Sequence, residues 1–449
     1  MATMILNQSK PLRLTMMSAF YFTQGVPNGL FLVAVPAWIV SNGGSAIETA
    51  QVVSAYMFFW IWKFFTALMM DRYTFLPMGR RRAWIIGAQT VLVTALLGSA
   101  IISPPATDIA LLSAVALACG FGASTQDVGI DGLAVDILEE DERSVAAGLM
   151  YGCGMVGMSA SSFAAGQIIS RVGISAAFFT GAAVVGAVLL LGIALKEREG
   201  ERRLPWSQGQ AHPRNVAIKL EAWWPLLRDS VKAIFTPLSI LFVAAFMISS
   251  IPSGMGETYH PVLAQQVAGW SLTDYTNTVS TFGLAAGIFA MVVGGWIVAK
   301  VGEPRAFQVL FGLFALVCVA FALVPGQWEN DTVIVALFFA FPMLATMTTV
   351  AALPIAMRLC DPRVAATQYT VYMATSNFGR PIGAAMAAAI TAAYAPQLLY
   401  FAVGAVLFAA CLIATFARFP LKAIASVEAV ERGTPQVEAR PVPEVPAAP

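Results

Sequence analysis

The chain has 449 residues, of which 58% are hydrophobic and only 11% charged, against roughly 25% charged in an average soluble domain. Its 26 basic and 25 acidic residues cannot coat the about three domains that a soluble chain of this length would form, and a net charge of +1 leaves no basic stripe for nucleic acid. The remaining reading is an all-α membrane protein embedded in the lipid bilayer.

A hydrocarbon core about 30 Å thick needs about 20 helical residues to cross it. Apolar runs of that length predict twelve transmembrane helices over 13–40, 49–70, 83–103, 108–131, 143–168, 174–195, 233–258, 275–299, 305–325, 332–357, 364–392 and 394–417. The first run is too long for a secretory leader and is expected to stay as a spanning helix. The spans divide six and six: an N-terminal half over 1–195, a linker over 196–232, a C-terminal half over 233–417 and a tail over 418–449. The linker holds eight basic residues and a Trp223-Trp224-Pro225 cluster suited to the membrane interface. The tail ends in VEARPVPEVPAAP, which is Pro-rich and predicted to be disordered. With the N-terminus inside, 23 of the 26 Lys and Arg fall on one side of the bilayer. Cationic loops are retained in the cytoplasm, so both termini are expected there.

An internal repeat is visible at turns. DERSVAAG (141–148) and DPRVAAT (361–367) stand about 220 residues apart, and Gly79-Arg80-Arg81-Arg82 matches Lys300, Gly302 and Arg305 in the second half. Paired halves rocking about a central site fit this pattern.

Taken in chain order, the first helix contains Gln24-Gly25-Val26-Pro27-Asn28-Gly29, expected either to unwind and expose backbone polar groups to a cavity or merely to kink. Lys63, in FFWIWKFF, sits about eight residues, or about 12 Å, from its helix end. An ammonium at that depth is costly and implies a partner, unless its stem snorkels to the surface. The turn DRYTFLPMGRRRAW (71–84) places Asp71, Arg72, Gly79, Arg80, Arg81 and Arg82 in a short connection. Together with Arg143 these residues can close one face through ion pairs, or serve only as an orientation signal. In STQDVGIDGLAVDILEEDER (124–143), Asp127 and Asp131 are four apart on one helix face beside Gln126. Two carboxylates in a low-dielectric cavity suit proton coupling or binding of a polar solute; if the helix ends near Ser124, they are solvated or pair with the Arg triplet instead. Lys63 is the nearest intramembrane cation, which predicts a Lys63–Asp127 pair.

In SIPSGMGETYHP (250–261), Glu257 and His260 are three apart and could carry a proton, although an exposed outer turn fits the same residues. Arg380, about 17 residues into the eleventh helix, is too deep to reach the surface, and its fork suits a substrate carboxylate or a fixed acid on another helix. The cysteines Cys119, Cys153, Cys318, Cys360 and Cys411 lie far apart, so neither disulfides nor a metal site are expected. No phosphate-cradling loop, nucleophile elbow or zinc spacing occurs, so no cofactor is expected and ATP-driven pumps are excluded.

Three stretches, KFFTALMMDRYTFLPMGRRRAW (63–84), STQDVGIDG (124–132) and AATQYTVYMATSNFGR (365–380), occur in the order and helices of a known group. The chain resembles the AmpG-like muropeptide permeases and related acetyl-CoA transporters of the major facilitator superfamily. The resemblance implies alternating access and, in the bacterial members, import driven by protons, with a small-molecule substrate and protons as partners in the inner membrane. It also places Lys63, Asp71, Arg72, Gln126, Asp127, Asp131, Gln368 and Arg380 on the group's motif positions. A monomeric chain is expected. Two cations common in muropeptide permeases are Gly152 and Ala134 here, and Asp131-Gly132-Leu133-Ala134-Val135 is closer to the siderophore permeases, making iron-chelate import the alternative. A membrane-bound acyltransferase using acyl-CoA, the alternative from another class, would need a catalytic His, and the chain has only His212 and His260.

Overall fold

Where apolar runs predict spans, helices form. A computed structural model describes residues 4–139, 142–217, 224, 228, 232, 234–360, 365–417 and 419. Ten of its helices are long and apolar enough to cross a bilayer: α1 (Lys10–Ser41), α2 (Ala46–Arg72), α3 (Arg82–Ile102), α4 (Ile109–Ile137), α6 (Ile174–Ala194), α7 (Pro237–Val267), α8 (Leu272–Val301), α9 (Glu303–Ala322), α10 (Asp331–Leu359) and α12 (Gln397–Phe416). Two more complete the predicted set. These are α5 (Arg143–Arg171) and α11, which runs as Ala365–Asn377 and Gly379–Ala393. No β-strand is present among the described residues, only a single bridge between Ile5 and Lys196.

The predicted ends shift for physical reasons. Helix α2 begins at Ala46 because Ser45 and Glu48 form a reciprocal capping box. Helix α4 continues to Ile137 instead of ending near Ser124, so Asp127 and Asp131 lie within it. Helix α7 runs on to Val267 and absorbs SIPSGMGETYHP, which is therefore not an outer turn. Its prolines are accommodated by an interruption at Ser250 before Pro252 and by a wide π-helical turn over Leu263–Val267 after Pro261.

Helix α1 does not unwind at Gln24–Gly29. It stays α-helical to Gly29, then widens into a π-turn over Leu30–Ala34. The glycines serve packing. A Cβ at Gly25 would come within 2.3 Å of the Gly154 carbonyl oxygen, and one at Gly29 within 2.3 Å of that of Met158. Backbone contact between α1 and α5 therefore requires both.

Helices α1, α5 and α6 pack together, as do α2 with α4 and α3 with α4 and α6; later in the chain α7 packs on α11, and α9 on α10 and α12. The two sets meet along α5–α8 and α2–α11. At the end remote from the arginine turn this seam is pinned by polar contacts. Gln265 and Gln266 of α7 donate to the carbonyls of Ala37 (2.8 Å) and Gly44 (2.9 Å), Ser162 and Ser280 share a hydrogen bond (2.6 Å), and Gln167 donates to Asn277 (3.2 Å).

The first part of the linker is docked. Leu6 donates its N–H to Lys196 O and Lys196 to Met4 O. Arg198 reaches Asn215 (2.8 Å), and Asn215 in turn donates to Glu201 (3.0 Å). Trp224 is exposed, while Trp223 and Pro225 lie outside the described residues. So does the tail predicted to be disordered, apart from Phe419, which is buried against Phe242 and Phe307.

Candidate functional site

The arginine turn is built around an acid that sequence reasoning missed. Glu197, fully buried just past α6, accepts the backbone N–H groups of Arg80 (2.8 Å), Arg81 (2.9 Å) and Arg82 (2.6 Å). Burial pushes its carboxyl up from the usual range, and those three N–H groups pull it back. Arg81 pairs with Asp71 (2.7 Å) and with Asp136 at the end of α4 (3.2 Å), and Arg80 approaches the same two acids (3.9 and 3.8 Å). Arg82 takes no part in these pairs. It is buried, donating to the carbonyls of Met78, Gly192, Arg202 and Arg203. Arg72 is exposed, and Arg143 opens α5 with its side chain outside those described. A second buried anchor joins Arg13 to Glu142 through two bonds, 2.9 and 2.6 Å.

The predicted Lys63–Asp127 pair forms. Lys63 Nζ lies 3.0 Å from Asp127 Oδ2, with side-chain exposures of 12% and 7%, so this cation is internal and does not snorkel. Gln24 of α1 donates to Asp127 Oδ1 at 2.7 Å, completing the carboxylate's shell. The ammonium also lies 5.8 Å from the Trp60 ring centroid. Asp131, one turn along α4, is exposed and accepts from the Tyr21 hydroxyl. Gln126 is turned away from both acids: its amide donates to Phe20 O (2.9 Å) and Thr23 Oγ1 (3.3 Å), binding α4 to α1.

A second ionic centre lies on the other side of the seam. Arg380 pairs with Glu257 of α7, so of the two partners its fork suits the structure shows a fixed acid on another helix. No Glu257–His260 hydrogen bond forms among the described residues, so neither the relay nor the outer turn offered for this stretch is what the helix holds. His260 instead is enclosed by the rings of Phe338, Phe341 and Tyr400. Gln368 lies apart from both centres, bonded to Leu359 O (3.2 Å) and to the Tyr372 hydroxyl (2.6 Å), where it ties α11 to α10.

Each intramembrane cation follows a helix interruption. Helix α2 breaks at Trp62 immediately before Lys63, and α11 breaks at Phe378, two residues before Arg380. Pro381 explains the second break, since it has no N–H to offer the Asn377 carbonyl. The breaks touch: Asn377 donates to Trp60 O (3.2 Å), and the Trp62 and Phe378 rings pack edge to face at 6.0 Å. By contrast, a cavity of about 170 Å³ between α5 and α8 is lined by apolar residues such as Leu149, Cys153, Leu284 and Met291 and holds no ionisable group of either centre.

The chain is 24% identical over 370 residues to the anhydromuropeptide permease of Escherichia coli K12, covering 80% of this chain and 70% of that one. It is also 24% identical over 264 residues to the class E tetracycline resistance protein of E. coli, covering 58% and 62%. Among solved structures it superposes on a nucleoside transporter with a TM-score of 0.69 at 11% identity, covering 90% of this chain and 99% of that one. A bacterial homolog of the human lysosomal transporter Spinster gives 0.64 at 13% identity, covering 94% and 98%. Residues 17–384 match the Major Facilitator Superfamily, to which this chain, a multi-pass membrane protein similar to the anhydromuropeptide permeases, belongs.

Proposed function

We propose that this protein is a secondary active importer that carries a polar solute of muropeptide or peptide type inward together with protons. In this reading it acts as a monomer in a bacterial inner membrane, with both termini and the arginine turn cytoplasmic. Two six-helix halves, 1–195 and 233–417, rock about the ionisable residues between them. The observation that carries this is the Lys63–Asp127 pair, closed by Gln24 and neighboured by Asp131. An ion pair held inside a membrane helix bundle is expensive to desolvate and marks a solute or proton path. Transfer of a proton to Asp127 neutralises the carboxylate, releases Lys63 and makes the pair breakable at each cycle. On the cytoplasmic face, the contacts of Arg80 and Arg81 with Asp71 and Asp136 form and break as the halves move.

Uptake of labelled anhydromuropeptide by cells expressing the chain is expected to collapse with a protonophore and, separately, in Asp127→Asn. Uptake that persists under both conditions overturns the proton-coupled reading. A second reading, import of an iron chelate, is supported by Gly152 and Ala134, which leave two cations out of the site. Parallel uptake of a ferric siderophore separates the two.

A further inference from the structure

The arginine–carboxylate contacts of this chain are not alike. Arg13 grips Glu142 through two nitrogens (2.9 and 2.6 Å), and Arg358 grips Glu303 through two (3.0 and 2.6 Å). These are complete forks, as expected of structural pairs. Arg380 uses one nitrogen, Nη1, on Glu257 Oε1. Glu257 Oε2 is buried without a hydrogen-bond partner among the described residues, and the rest of the guanidinium meets no acceptor there although 27% of the side chain remains accessible.

The incompleteness is not slack in the scaffold. A Cβ at Gly254 would lie 1.9 Å from Arg380 O, and one at Gly379 2.0 Å from Met247 O, so α7 and α11 are in backbone contact beside the pair. Helices locked this closely fix both side-chain roots, and an unsatisfied buried carboxylate oxygen is costly. The arrangement therefore offers one strong acceptor and one strong donor edge side by side. A solute that brings only negative charge would satisfy the arginine and repel the glutamate.

We propose that Glu257 and Arg380 form an amphoteric subsite for an amino-acid-like end of the solute, with Glu257 Oε2 accepting from its ammonium and the unused guanidinium edge donating to its carboxylate. This rests on the reading of the chain as a solute importer and narrows its substrate class to zwitterionic ends. Glu257, which stood in a presumed outer turn, becomes a specificity-determining residue.

The probes are dialanine, its N-acetyl derivative and its C-terminal amide, titrated calorimetrically into the full-length chain in lipid nanodiscs without a proton gradient. Dialanine is expected to bind, and each analogue to bind at least about tenfold more weakly. Glu257→Gln should erase the preference over the N-acetyl compound, and Arg380→Gln the preference over the amide, each keeping the other preference. If either variant fails to fold, the three-ligand comparison on the unaltered chain decides alone. Undetectable dialanine binding at millimolar concentration, equal affinity for all three ligands or tighter binding of the amide overturns the proposal. Such failure leaves gradient-driven import untouched, whereas selective binding without protonophore-sensitive uptake removes the import reading and not the subsite.

Discussion

Gly79 holds φ at +101°, and a Cβ there would fall 2.4 Å from the Glu197 carboxyl carbon. Both the left-handed backbone and the carboxylate that caps three N–H groups exclude a side chain. Gly79→Ala is therefore expected to destabilise the chain by about 1–3 kcal/mol, read as a lowered thermal midpoint in detergent. The Lys63–Asp127 pair makes a sharper case, because removing one partner strands the other inside the bundle. Lys63→Met should cost about 3–5 kcal/mol, and Lys63→Met combined with Asp127→Asn should recover most of it. A double variant no more stable than the single one would mean that the two groups do not depend on each other. At this scale the sequence was readable where charge stood out against apolar runs: Lys63, Asp127 and Arg380 are conspicuous in that background. Glu257 was named as a possible proton carrier but its depth was not legible, since Pro252, Gly254 and Gly256 imitate a turn, whereas α7 carries them as α-helix inside a span. Glu197 and Asp136 were missed because each stands among other charges at a helix end, where pattern cannot tell a buried cap from a solvated acid.

Among the elements, the linker shows what its basic residues and Trp cluster did not reveal: residues 196–217 are fastened through Arg198, Glu201 and Asn215. Burial, with the charge of Glu197 beside it, pushes Glu201 up to about 7, against about 4.3 in an unfolded chain. The native state thus holds more protons than the unfolded one between those values. Stability from this group is present at acidic pH and is lost as pH rises through about 7. The thermal midpoint of the native chain should fall relative to that of Glu201→Gln between pH 5 and 8, and parallel curves would show that Glu201 does not control the docking. The prolines and glycines of α1 were legible as a special feature, but their purpose was not. Sequence cannot say whether a small residue frees the backbone or lets a neighbouring backbone approach, and here the neighbour at Gly154 and Met158 decides it.

For the molecule as a whole, the twelve-helix architecture was legible because length, hydropathy and the sidedness of cations constrain one another, whereas the seam between the two sets of helices depends on contacts that no local pattern encodes. Ser162 of α5 and Ser280 of α8 stand 2.6 Å apart on that seam, at the end opposite the arginine turn. Cysteines at both positions are close enough for a disulfide. The double variant Ser162→Cys, Ser280→Cys should lose uptake on oxidation and regain it on reduction, if that end has to open during the cycle. Unchanged uptake in the cross-linked chain would count against rocking halves.

The abutting interruptions of α2 and α11 have a mechanical consequence. Lys63 and Arg380 are mounted just beyond two joints that lean on each other through Trp60, Trp62, Asn377 and Phe378. Contact at this knuckle gives the two charged centres a shared packing surface without a chain of polar groups between them, so a variant such as Asn377→Ala is expected to disturb the surroundings of both cations together.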